Sequence, residues 1–388
     1  MKTLENGTVE IDGYTFPQFD LVRLLKTVFV LDGPARYVVL TDLDDVNKFR
    51  NLAYMDEDGY VQQKHAYRTL VKGLEENASE LGVQSIEFYA YTETGGSNLD
   101  LPDTVLDQDG NEHGLRSVLE GKDIVICMGK WSATAPITAL AKEMRFRGAT
   151  MHGTNDRILA SGLAVDYNEV SARAERLRQA ITGSKSVTLE WDLNGTAYAL
   201  EITSEGRDMQ KSHGLVRDIG DVANLPAGEV YYIPVDANGY LPQKFEDEQE
   251  TIAVFKIENR AITGVHEFVK GDEKLVQDYM QLIADDPNAG QITELGIGTQ
   301  DLPWAHADIQ DEKILGTAHV ATGRSDHLGG DINSASFKDK KNASHNDILF
   351  TPEKTPEIEL KRVTMDKDGE TFTIVEGYKP SDFIKPLL

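Results

Sequence analysis

Through its first half the chain alternates short apolar runs with longer stretches in which apolar residues recur every three or four positions. "YVVLTDLDD", "QSIEFYAYTETG" and "DIVICMG" have the length and β-branched or aromatic content of strands. Between them, "HAYRTLVKGLEENASELG" spaces Tyr67, Leu70, Leu74 and Leu81 along one helix face, with Gly82 as the stop. "SATAPITALAKEMRFRGAT" predicts a helix opened by a Ser/Thr cap and closed by Gly148. "VDYNEVSARAERLRQAITGS" predicts a further amphipathic helix. Strands separated by helices argue for an open, mainly parallel α/β sheet with right-handed crossovers.

From about residue 185 the period shortens. "KSVTLEWDLNGTAYALEIT" reads as a strand, a turn at Asn194–Gly195 and a returning strand. More β-rich segments follow, among them "GEVYYIPVDANGYLP", "ETIAVFKIENRAITGVHEF" and "DILFTPEKTPEIELKRVTM". One helix, "GDEKLVQDYMQLIADDPNAG", interrupts them. The expected organisation is an α/β N-terminal domain with an open, mainly parallel sheet over residues 1–185, and a β-rich α+β C-terminal domain, metal-binding and catalytic, over residues 186–388. A chain of 388 residues is long enough for two cores.

Charge narrows the choice of partner. The formal net charge is −26, which disfavours nucleic acid, because phosphate binding needs clustered Lys and Arg. The single cysteine, Cys127, lies in an apolar run, so no intramolecular disulfide and no cysteine-based zinc site are expected, and a buried structural thiol is. The N-terminus has no apolar signal region and no run is long enough to span a membrane, so a cytoplasmic protein without a membrane partner is expected.

Three segments of the second half set acidic or imidazole side chains among glycines: "NLPAGEVYYIP" with Glu229, "ITELGIGT" with Glu294, and "LGTAHVATGRSDHLGGDINSASFKDKKNASHNDILF" with His319, His345 and Asp347. Residues His345 and Asp347 are i and i+2, so in a strand both side chains point to one face while Ile348 and Phe350 take the other. Imidazole and carboxylate on one face suit a divalent cation that takes N and O ligands. Glu229 and Glu294 lie in apolar surroundings, where a carboxylate is costly unless paired or metal-bound. Two Glu, two His and one Asp make a set for two metals sharing a bridging carboxylate, a site that generates hydroxide and polarises a carbonyl. At the end of a first-half strand, Asp42, Asp44 and Asp45 read as a solvated strand end rather than a cation site.

At these residues the chain resembles the aminopeptidase T / aminopeptidase S family of metallo-aminopeptidases, the leucyl aminopeptidase-like enzymes. "NLPAGEVY", "ELGIGT", "GTAHVATG" and "SHNDI" follow one another in the order of that family's motifs. The resemblance implies a dinuclear site with Glu229, Glu294, His319, His345 and Asp347 as ligands, loaded with zinc, cobalt or manganese. It also implies release of N-terminal residues from peptides or aminoacyl substrates, a homodimer, and Glu229 or Glu294 as bridging ligand or proton shuttle. The family usually has a Tyr seven residues after the first His; here Asp326 stands at that position, followed by His327, and either is a candidate replacement ligand. The scaffold resembles in addition that of dihydroxypyridine ring-cleaving dioxygenases, which use one iron held by two His and one carboxylate; His345, Asp347 and His319 or His327 would supply that set. The extra carboxylates Glu229 and Glu294 count against a single iron. The third alternative is a non-catalytic binding relative.

Overall fold

The structure, a computed structural model, describes residues 1–4 and 7–388. Contacts divide the chain into two units. The first holds Met1–Ser171, His213–Ala227 and Leu302–Gln310; the second holds Ala172–Ser212, Gly228–Asp301 and Asp311–Leu388. The division differs from a single cut between residues 185 and 186. Two later segments return to the first unit, and the change of hydrophobic period marks where strand pairing changes, not which core each segment joins.

In the first unit a seven-stranded sheet runs in the order Val222–Asn224, Arg147–Thr150, Ile124–Cys127, Ala35–Leu43, Val83–Thr92, Thr104–Leu106, Glu112–Gly114. Its first five strands are parallel, and Thr104–Leu106 runs antiparallel to both of its neighbours. The near-continuous apolar run of Ala35–Leu43 fits a strand covered on both faces, and Val38, Val39 and Leu40 are fully buried. Two helix ends depart from expectation. The helix that begins at Val61 passes through a π-helical segment at Ala66–Val71 and ends with Lys72–Glu76, while Gly82 turns the chain into the next strand at φ +62°. Helix Thr134–Met144 has Ala133 at its N-cap, and the missing side-chain acceptor is supplied by Asn98, whose Oδ1 accepts from Ala135 N at 2.8 Å. Arg145, in the left-handed conformation, ends that helix, and Gly148 lies in the following strand.

The acidic strand end is not solvated throughout. Asp42 is fully buried and accepts from Lys130 N, Trp131 N and Gln63 Nε2, which pins the loop after Ile124–Cys127; Asp44 and Asp45 are exposed. Cys127 is buried as expected, and burial pushes its thiol up to about 12.

The second unit is built on two antiparallel sheets. One has eight strands in the order Ala261–Lys270, Ile252–Glu258, Asp236–Lys244, Thr196–Thr203, Ser186–Leu193, Ile358–Lys367, Glu370–Glu376, Lys379–Pro380. The hairpin Ser186–Leu193/Thr196–Thr203 turns at Asn194 and Gly195, both at positive φ, as a two-residue turn requires. The other sheet has five strands: Gln210–Ser212, Glu229–Tyr232, Ile292–Gly298, Ala318–Gly323, His345–Phe350. One face of these strands supplies Val230, Leu295, Ile297, Ala318, Val320, Ile348 and Phe350 to a core shared with Leu189, Trp191 and Leu360 of the larger sheet. Trp191 and Phe350 meet with ring centroids 4.9 Å apart. Helix Glu273–Asp285 adds Val276 and Ile283. Among the described residues no helix is long and apolar enough to cross a membrane.

Candidate metal centre

Alternation decides what the other face of the five-stranded sheet carries. If Val230, Leu295, Val320 and Ile348 point into the core, their neighbours must point away, and those neighbours are Glu229, Glu294, His319, His345 and Asp347. Register then draws the five together. Glu229 pairs with Gly298, Gly296 with His319, Ala321 with both Glu294 and Asp347, and Gly323 with His345. Small residues thus stand opposite the large polar ones. A Cβ on Gly296 would come within 2.1 Å of the His319 ring, and one on Gly298 within 2.1 Å of the Ile314 carbonyl oxygen. These two glycines admit, respectively, the imidazole and the backbone that carries Glu312 and Lys313.

The geometry is compact. His319 Nε2 lies 3.6 Å from Glu229 Oε2, 3.7 Å from Glu294 Oε1 and 3.8 Å from Asp347 Oδ1. His345 Nε2 lies 3.0 Å from Glu294 Oε2 and 3.2 Å from Asp347 Oδ1. Glu294 and Asp347 therefore each sit between the two imidazoles. Three trios have one ligand atom per residue within 4.8 Å of the others: Glu229, Glu294 and His319; Glu294, His345 and Asp347; Glu312, His319 and Asp347. All but Asp347, whose side chain is 28 % exposed, are buried.

Several features fit a cation. The His345 Nδ1–H can donate to the Arg324 carbonyl at 2.6 Å, which leaves the Nε2 lone pair facing Glu294 and Asp347. Glu229 Oε2 is a buried carboxylate oxygen without a hydrogen-bond partner among the described residues, and Asp347 Oδ1 faces both imidazoles, so each is open to a cation. In the metal-free site the imidazoles serve as the counter-charge. Burial pulls His319 down, but Glu294, with Glu312 and Glu229 behind it, outweighs burial and lifts the group to about 10. His345 is raised as well, against burial, by Asp347 and Glu294. Burial acts to raise Glu294, but the two imidazoles hold it down at about 2, and Asp347 is lowered against burial by His345 and His319.

The two further candidates are placed differently. Asp326 accepts from Arg324 Nε at 2.7 Å and from its NH2 at 3.2 Å, and belongs to none of the trios. His327 is outside them too; its ring packs edge-on against His345 with centroids 4.9 Å apart, and burial lowers its pKa. Three site residues were not anticipated. Tyr231 shares the face of Glu229, and burial, then Glu294 and Glu229, raise its phenol. Glu312 and Lys313 lie in "DEKILG", and both are buried. Lys313 Nζ donates to Glu229 Oε1 at 2.6 Å and, by a shorter contact, to Glu312 Oε1. Burial raises Glu312 to about 8, with Lys313 acting in the opposite direction. A charged doublet ahead of a strand looks like a solvated loop; the signal that could have exposed it was its place six residues before His319.

No protein-family model matches this chain, and no curated protein does. Among solved structures the chain is similar to 2,5-dihydroxypyridine dioxygenase of Pseudomonas putida KT2440. The TM-score is 0.61 at 15% sequence identity, over 93% of this chain and 95% of that one. At that identity the likeness is one of fold.

Proposed function

We propose that the protein is a metal-dependent oxygenase acting on a small hydroxylated aromatic ring through one divalent ion held by Glu294, His345 and Asp347, with His319 across the two carboxylates from it. The observation that carries this reading is the engagement of Glu229 and Glu312 by Lys313. It removes Glu229 from the argument that surplus carboxylates require a second metal, and Glu294 falls among the donors to the single ion. Imidazole and carboxylate donors with open positions suit a divalent iron, and His319 would be the second imidazole of a two-His, one-carboxylate set. The fold likeness to a dioxygenase supports the same reading. When bound, such an ion supplies a Lewis-acidic and redox-active centre for substrate and oxygen.

The chain's own residues supply the rest. The Arg324 carbonyl fixes the tautomer of His345 by accepting from Nδ1. The His327 ring, edge-on, fixes its plane. Tyr231, its phenol raised, keeps its proton at neutral pH and can donate a hydrogen bond to an anionic ring oxygen. A second reading, the metallo-aminopeptidase with two ions, is favoured by the trio Glu229, Glu294 and His319, which shares Glu294 with the other donor set.

The test is to load the protein anaerobically with iron(II) and follow oxygen uptake with 2,5-dihydroxypyridine and a panel of hydroxylated aromatic rings. Iron-dependent uptake that is lost in His345→Ala is expected. No uptake, together with release of amino acids from aminoacyl substrates by the zinc-, cobalt- or manganese-loaded protein, would overturn the oxygenase in favour of the hydrolase.

A further inference from the structure

Lysine is seldom fully buried, because its ammonium must find compensating oxygens when it leaves water. Lys313 is 1% exposed. Its Nζ donates to one oxygen each of Glu229 and Glu312. Gly298 makes this possible, since any side chain there would strike the backbone at Lys313 and Ile314. The placement matters when set against the three trios. Glu229 belongs to one and Glu312 to another; only the trio of Glu294, His345 and Asp347 contains no carboxylate that Lys313 holds. A divalent ion bound through Glu229 or Glu312 would share that carboxylate with an ammonium, and the two like charges would repel across a buried, weakly screened gap.

We propose that Lys313 takes the place of a second metal ion and limits the centre to one divalent cation, bound on the side of Glu294, His345 and Asp347. The inference rests on the metal centre of the proposed function and adds what sets its metal number. An ammonium supplies positive charge to the carboxylates without offering a coordination position. It therefore fills the electrostatic role of a second ion while leaving no second site for water activation.

The test is a manganese(II) titration of the full chain, read by bound metal per chain and by electron paramagnetic resonance. Wild type is expected to bind one manganese tightly, with the six-line signal of an isolated ion. Lys313→Met is expected to bind two, with that signal lost to coupling between neighbouring ions, whereas Lys313→Arg stays at one. Lys313→Met leaves its buried acids uncompensated, so Lys313→Met/Glu312→Gln, which removes the ammonium together with one of the two acids it holds, is measured alongside. It is expected to gain a weaker second ion through Glu229, Glu294 and His319. Two tightly bound ions in wild type, or one ion in both folded Met variants, would overturn the inference. One ion in wild type without oxygen uptake would overturn the oxygenase reading alone.

Discussion

His345 illustrates how much one side chain at this site has to do. Its Nδ1–H is committed to a backbone carbonyl, its Nε2 faces two carboxylates, and its ring lies against His327. Replacing it by Ala opens the donor set without removing anything from the apolar core. His345→Ala is expected to lose most bound metal and all metal-dependent activity while keeping its circular dichroism; full metal content and rate in the variant would contradict the assignment. Gly296→Ala tests the same site from below. Its new methyl would collide with the His319 ring, so metal affinity is expected to fall by about 10–100-fold, the range for changes that disturb a ligand's support; equilibrium dialysis would measure it. The pH response follows from His319. Its pKa of about 10 in the metal-free protein exceeds the ordinary 6.5, so the folded state holds that proton more tightly than the unfolded chain. This stabilisation is fully present below pH 6.5 and is lost as pH rises through 10. Melts with a chelator present should show a falling transition temperature across that window, and the metal-loaded protein a smaller fall. At this scale the sequence was legible where spacing determines direction: His345 and Asp347 two apart on a strand must share a face. Lys313 was not legible, because polarity alone cannot tell a charge in water from one that neutralises buried carboxylates.

At the scale of elements the site is one face of a sheet whose other face is core. The strand His345–Phe350 carries both, with the candidate ligands His345 and Asp347 at odd positions and Ile348 and Phe350 at even ones. Phe350→Ala, which removes the partner of Trp191, is expected to cost about 3–5 kcal/mol of stability, as for a buried aromatic truncated to a cavity. Denaturant melts would measure the loss, and metal affinity in the folded variant should change far less, since no ligand is touched. Alternation and turn chemistry made most strands of the second half readable, including the hairpin at Asn194–Gly195. Which strands join which sheet was not readable, because partners such as Ser186–Leu193 and Ile358–Lys367 are far apart in sequence and no local pattern encodes the pairing. Helix ends failed for a similar reason. The cap of Thr134–Met144 comes from Asn98, outside the local window.

For the whole molecule, charge is the property that acts everywhere at once. With 65 acidic against 39 basic residues, self-repulsion opposes compaction, and added salt screens it. The melting temperature is expected to rise between about 0.05 and 0.5 M sodium chloride, over which the Debye length shortens severalfold; a flat or falling curve would show that local ion pairs dominate instead. The division into units has a different consequence. The chain passes from one unit to the other after Ser171, Ser212, Ala227, Asp301 and Gln310, and Glu229, Glu312 and Lys313 stand within a few residues of these crossings. No single cut in the gene yields either unit whole. The two are therefore inherited as one piece, and neither can be passed on alone as a contiguous module to be shuffled into another protein.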